Sequence, residues 1–272
     1  IGYSAWRAFD YGRACSPHIG TLFAVSILAS SGAGLSLQVG QYGWPVVALL
    51  FASLHLRTRP ALAGIPLAFA TTKATMGAPF FLAALLTSHW RTFAAGTAVI
   101  VVFSLLAWPW VGTDPVTLIR QSLDVGATNA TNGTISITSL LVELGIDPTI
   151  ATLVGMVIAG SLGLIALLWL RNADPLVGFA IAGVMARTWT YHKSYDNGLL
   201  VFLLLAVGRF AFDPSVSTRG FKLMFGLIGL SLWVPSRFTT DAVEIFQLTV
   251  WVVGALVVAI EARRRMSLSA PG

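Results

Sequence analysis

Apolar residues are gathered into ten blocks along the chain, at 19 to 37, 42 to 56, 61 to 72, 75 to 87, 92 to 110, 149 to 170, 176 to 189, 197 to 208, 221 to 236 and 243 to 261, separated by short polar connections. The pattern predicts an all-α, polytopic transmembrane helical bundle with about ten membrane segments. Three of them, 92 to 110, 149 to 170 and 243 to 261, are about long enough to cross a hydrocarbon core of ~30 Å at about 1.5 Å per residue. The pairs 61 to 72 with 75 to 87, and 176 to 189 with 197 to 208, offer roughly 20 Å of helix per arm. Each pair is expected to form a short helical hairpin that stops before the far surface. The long connection 111 to 148 is expected to be an outer loop carrying two amphipathic stretches, Pro115 to Asp124 and Ile135 to Leu144, that lie at the membrane interface.

Composition agrees with this pattern. The 272 residues are 56% hydrophobic and 10% charged, and the mean hydropathy is +0.80. That is too little charge to clothe a water-soluble domain, which excludes a soluble α/β enzyme. The single cysteine, Cys15, excludes an internal disulfide framework and a cysteine metal cluster. The net charge of +6 is dispersed at the ends of apolar blocks, so the expected surroundings are membrane lipids and not nucleic acid. No cofactor and no metal site is expected. The chain starts at Ile1 without the features of a signal peptide, and residues 1–272 are read as one integral membrane domain, the C-terminal portion of a longer chain.

Placing Arg263, Arg264 and Arg265 in the cytoplasm and alternating backwards sorts the cations. Arg7, Arg13, Arg57, Arg59, Arg91, Arg171, Arg209, Arg219 and Lys222 join them inside, which puts both ends of the chain in the cytoplasm. Lys73, Arg120, Arg187, Lys193 and Arg237 are the exceptions, all toward the outer side. A cation at membrane depth is costly unless it faces a cavity or a partner. Lys73, Arg187 and Lys193, at the tips of the two hairpins, therefore point to a recessed positive pocket for an anion, and the apolar walls favour an anionic head on a greasy tail, such as a polyprenyl phosphate. The same cations could instead pair with Asp196, Asp241 or Glu244 and stabilise packing.

The segment from Ala186 to Asn197 interrupts an apolar run with concentrated polar chemistry. His192 can exchange a proton or bond a phosphate oxygen, Lys193 brings charge, Asp196 can act as a base, and Tyr191 can meet a sugar ring. An interfacial belt of aromatics with snorkelling cations is the competing reading. Gln41, at a glycine-flanked outer junction, suits sugar hydroxyls or a turn. Asn129 and Asn132 begin two glycosylation patterns that matter only in a eukaryote. Along 149 to 170, Ala151, Gly155, Ala159 and Gly163 recur every four residues and predict a close helix approach.

Together, Gly40-Gln41 before a helix, Arg57-Thr-Arg-Pro60-Ala-Leu-Ala-Gly64 with the apolar run ending at Lys73, and His89-Trp-Arg91 resemble the membrane glycosyltransferases of family 87. The stretch Asn132 to Leu140 and the His192 to Asp196 segment look similar to that family's outer-loop and second-hairpin regions, so that the resemblance covers about residues 20 to 210. It implies a GT-C-like fold in a bacterial plasma membrane. It also implies a mannosyltransferase that moves mannose, or a related hexose, from a polyprenyl-phosphate sugar donor to a glycan or glycolipid acceptor on the extracytoplasmic side. The acceptor-activating base of such enzymes is an Asp in the first outer loop, expected upstream of these residues; Asp10 is counted as cytoplasmic and is not given that role. On this resemblance His192 and Asp196 are the candidate catalytic residues, and Gln41, Lys73, Arg187, Tyr191 and Lys193 the candidate substrate-binding residues. A transporter or flippase of a lipid-linked sugar would use the same pocket without making a bond, and a scaffold subunit would use it for nothing.

Overall fold

The computed structural model describes residues 1–39, 41–87, 89–112, 114–129, 136–189, 194–216, 218–235, 238 and 240–269. Among them every regular element is helical. In chain order these are α1 (Gly2–Arg13), α2 (Pro17–Leu28), α3 (Ser31–Val39), α4 (Gly43–His55), α5 (Pro60–Ala70), α6 (Ala74–Leu86) and α7 (Trp90–Val111). Then come α8 (Pro115–Asn129), α9 (Ile137–Glu143), α10 (Pro148–Trp169), α11 (Pro175–Thr188), a 3₁₀ segment (Ser194–Leu200), α12 (Val201–Phe212), α13 (Arg219–Trp233) and α14 (Asp241–Ser269).

The all-helical expectation holds, and the count of ten membrane segments is not confirmed. Three helices, α7, α10 and α14, are long and apolar enough to cross a membrane, and a fourth span arises if α2 and α3, bent by 41° at a short break, are taken together. Two of the other apolar blocks are short helices wrapped by their neighbours. In α11 every residue from Leu176 to Thr188 is buried, and α12 is buried almost throughout. A helix that is apolar on all sides because protein surrounds it has the same hydropathy as one surrounded by lipid, so block counting cannot separate the two.

Each element has a local cause. Asp147 and Asp174 stand before prolines at the starts of α10 and α11, and their carboxylates accept from Thr149 N at 2.9 Å and Leu176 N at 2.9 Å. Ser30 makes the break between α2 and α3: its hydroxyl donates to Ile27 O at 2.8 Å and accepts from Ala33 N at 3.3 Å, closing one helix and opening the next. The spaced small residues of α10 are buried as expected, and they serve two partners: Gly155 lies against Thr138 of α9, and Gly163 against Met185 of α11. At the centre, Phe51, Phe80, Phe179 and Phe202 join α4, α6, α11 and α12, with ring centroids 4.7 to 5.5 Å apart. Close packing of this kind, not expulsion from water, holds helices together in lipid.

One end of the bundle carries the arginines assigned above to a single side. Arg7 is paired with Asp10 and meets His55 Nδ1 at 2.7 Å, and these residues line a cavity with Tyr11, Arg57 and Thr58. Arg209 reaches Asp174 at 3.1 Å, Arg265 reaches Asp213 at 2.9 Å and Glu261 at 3.3 Å, and Arg264 reaches Glu261 at 2.9 Å. Helix α1, too polar to count as an apolar block, buries Ala5 and Ala8 at this end and holds Asp10 between Arg7 and Arg13.

The Ser215 hydroxyl and backbone N–H, helped by Arg265, hold the Asp213 carboxyl down at about 2, below its ordinary 3.8. A carboxyl lowered by folding stabilises the fold above its unfolded value and ceases to do so as it is protonated. Thermal stability in detergent should therefore fall as the pH drops from about 4 toward 2, and Asp213→Asn should flatten that part of the profile. An unchanged profile in the variant would remove Asp213 from the account.

Candidate functional site

Helix lengths differ at the opposite end. Starting from the arginine-bearing end, α5 and α6 cover only about 16 and 20 Å, whereas α7, packed beside α5, covers about 33 Å. Phe69, near the end of α5, meets Phe103 with centroids 5.2 Å apart, and α7 then continues for about 12 Å past the hairpin tip, its residues 101 to 111 all exposed. Similarly, α11 covers about 21 Å against about 33 Å for α10. Both hairpins end short of their longer neighbours.

The two tips meet. Lys73, the residue before α6, forms an ion pair with Asp196 in the 3₁₀ segment; the lysine side chain is 26% exposed and the aspartate 4%. The α5–α6 turn is tight because Gly77 presses on the end of α5, where a Cβ would come within 2.5 Å of Ala70 O. The Trp189 indole N–H donates to Thr75 O at 2.8 Å and pins the end of α11 to the start of α6. Arg187 is 1% exposed; its Nε donates to Asn197 Oδ1 at 2.7 Å, and its guanidinium lies over Trp251 of α14, 5.2 Å from the ring centroid. Trp251 Nε1 in turn donates to Ser231 Oγ at 2.8 Å, and Gln247 to Ser231 O at 2.7 Å, so the cluster is braced by α13 and α14. Asp196 and Glu244 are near enough for their charges to bear on Arg187.

Of the residues singled out from sequence, Lys73, Arg187 and Asp196 are brought together. The pairing alternative is realised for Lys73 with Asp196, and it joins the tips instead of excluding a site between them. Gln41 is half-buried at the α3–α4 junction, its N–H bonded to Ser36 O at 3.1 Å, and both flanking helices pack against the 3₁₀ segment. Tyr191, His192 and Lys193 lie outside the described residues, as do Arg237 and most of the glycosylation patterns. Arg120 is exposed on α8, away from this cluster. Asp10, bound to Arg7 at the other end, is not part of it. Among the described residues no three His, Cys, Asp or Glu side chains converge as metal ligands would.

Sequence reading missed Asn197, Trp251 and Trp44. Trp44 is buried with its indole edge 3.2 to 3.5 Å from the Cβ position of Gly198, and its N–H has no acceptor among the described residues. A tryptophan directly after Gly43 gives no sign of this in sequence. The approach of the 3₁₀ segment to α11 depends on Gly183, where a Cβ would stand 2.7 Å from Leu199 O. Gly183→Ala should push that segment away, lengthen the Arg187 to Asn197 bond and destabilise the protein by about 1–3 kcal/mol. Thermal unfolding in detergent measures this, and an unshifted midpoint would mean that the segment yields without cost.

Helices of membrane length, with charged side chains paired to one another inside the bundle, mark an integral membrane protein. Its lineage is clear: residues 1–190 match the family model for glycosyltransferase family 87, and the chain belongs to that family of membrane glycosyltransferases. The matched stretch includes Gln41, Lys73 and Arg187 and ends just before Tyr191. No curated protein and no solved structure gives a significant match.

Proposed function

We propose that the protein transfers a hexose, mannose in the first instance, from a polyprenyl phosphate to a glycan or glycolipid acceptor on the extracytoplasmic face of a bacterial plasma membrane. Both ends of the chain are then cytoplasmic. The observation that carries this reading is the union of the two short hairpin tips through Lys73 and Asp196, at a depth where an ammonium suits a lipid-borne phosphate better than a soluble one.

In this mechanism the acceptor oxygen attacks the anomeric carbon, its proton passing to a base. The bond from that carbon to the phosphate oxygen breaks, and the electron pair leaves with the phosphate. Lys73, with His192 and Lys193, stabilises the negative charge gathering on the leaving group. Asp196 fixes the ammonium at the tip, and Arg187, held by Asn197 and Trp251, fixes the segment that bears Asp196. Gln41 and Tyr191 orient the sugars. The family resemblance implies an Asp as the acceptor-activating base, and attack opposite the leaving phosphate inverts the anomeric centre.

Reconstitution with radiolabelled mannosyl undecaprenyl phosphate and a short mannoside acceptor tests this directly. A labelled glycosidic product is expected. Movement of the lipid across the bilayer without a product would make the protein a carrier and sink the proposal. His192→Ala should reduce product formation by roughly 10²-fold with normal membrane insertion, as expected for the loss of one leaving-group donor.

A further inference from the structure

The arginine-bearing end, opposite the hairpin tips, carries a cavity of its own. About 270 Å³ in volume, it opens between α1, which supplies Arg7, Asp10 and Tyr11, and the end of α4 with the turn after it, which supply His55, Arg57 and Thr58. Pockets that enclose a whole drug-sized ligand measure roughly 300–1,000 Å³, so this one suits a smaller group.

Arg7 is the buried part of the wall. It is 9% exposed, its terminal nitrogens are taken by Asp10 and, at 2.7 Å, by His55 Nδ1, and its Nε proton finds no acceptor among the described residues. A guanidinium can only donate, so His55 Nδ1 accepts and the ring is left with Nε2–H as its donor. Burial holds the Tyr11 phenol above its ordinary pKa, which keeps it a donor too.

The charges around the cavity do not cancel. Asp10 is shared by Arg7 and, at 3.2 Å, by Arg13, so the acid in the wall is already answered. Asp174, whose charge reaches Tyr11 and His89 as that of Arg57 does, is held by Arg209 at 3.1 Å. Arg57 is exposed, with no ion pair or side-chain hydrogen bond among the described residues. An exposed arginine is ordinarily just solvated. This one shares its cavity with a buried arginine whose hydrogen bonding is incomplete.

We infer that the cavity binds a phosphate-class anion, with Arg57 supplying the charge and Arg7, Tyr11 and Thr58 the donors around it. The planar fork of a guanidinium pairs with two phosphate oxygens at once. Two sources bring this chemistry to the arginine-bearing end: the phosphodiester of an anionic lipid, and free inorganic phosphate.

The test uses the full chain in dodecyl maltoside, with bound lipid counted by native mass spectrometry and phosphate binding read as a thermal shift against chloride at equal ionic strength. If the source is lipid, dioleoyl phosphatidylglycerol fills one site ahead of dioleoyl phosphatidylcholine. If it is the free anion, phosphate raises the unfolding midpoint and the two lipids bind alike. In either case Arg57→Gln should raise the half-saturating concentration roughly tenfold, as expected for the loss of one charge-assisted bond, while Arg59→Gln, equally exposed but not lining the cavity, should leave it unchanged. Tyr11→Phe, which removes a hydroxyl and no charge, should raise it about threefold and reads the same wall should Arg57→Gln fail to fold. Neither probe binding the wild type, undiminished binding in Arg57→Gln, or an equal loss in Arg59→Gln would overturn the inference, the last by reducing it to general surface charge. These readouts involve no sugar transfer, so they stand apart from the reaction proposed above.

Discussion

Lys73→Met lowers glycosyl transfer by roughly 10²–10³-fold, the usual effect of deleting one donor that faces a developing negative charge. Methionine retains the length of the side chain and removes the ammonium from the tip, where Asp196 meets it. The single variant also takes the paired cation from a buried carboxylate, on which the charge of Arg187 still bears, and this destabilises the fold by itself. Lys73→Met combined with Asp196→Asn separates the two effects. The double variant recovers thermal stability, since the stranded charge is gone, and it still fails to transfer, since the phosphate finds no ammonium. Measured transfer near the wild-type rate in the double variant would reduce Lys73 to a packing partner.

Arg187→Lys should be strongly destabilising although it keeps the charge. Lysine cannot donate from an Nε position to Asn197 while lying flat on Trp251, and at 1% exposure no water replaces the lost contacts. A cost of about 3 kcal/mol is expected, lowering the unfolding midpoint in detergent by roughly 6–10 °C. Trp251→Leu should reproduce part of this loss without touching a charge. A midpoint within 2 °C or so of the wild type for Arg187→Lys would show the guanidinium to be replaceable, since about 1 kcal/mol corresponds to that shift.

The long helices were legible because length and hydropathy together specify a span: α7, α10 and α14 coincide with the three longest predicted crossings. The hairpins were legible for a different reason. Lys73 and Arg187 interrupt apolar runs where lipid would penalise them, so sequence could say that each needs a partner. It could not say which one. Lys73 and Asp196 are 123 residues apart, and neither spacing nor periodicity links them. Asn197 and Trp251 were overlooked because an amide beside an aspartate and a tryptophan in a membrane helix are ordinary until the guanidinium between them is placed. Hydropathy does not separate lipid-facing from protein-wrapped helices, since α11 and α12 owe their apolar surface to neighbouring helices. The break after α2 did carry a signal: Ser30-Ser31-Gly32 supplies a capping hydroxyl in mid-block, and a continuous apolar reading passes over it.

The overhang of α7 sets a reach requirement on whatever is modified. If sugar transfer occurs beside Lys73, the receiving hydroxyl must descend about 12 Å from the rim marked by Val111. Slender, unbranched glycan ends can make that descent and bulky branched ones cannot. Discrimination among acceptors would then reflect how far a hydroxyl can be lowered, before any contact with an individual sugar is counted.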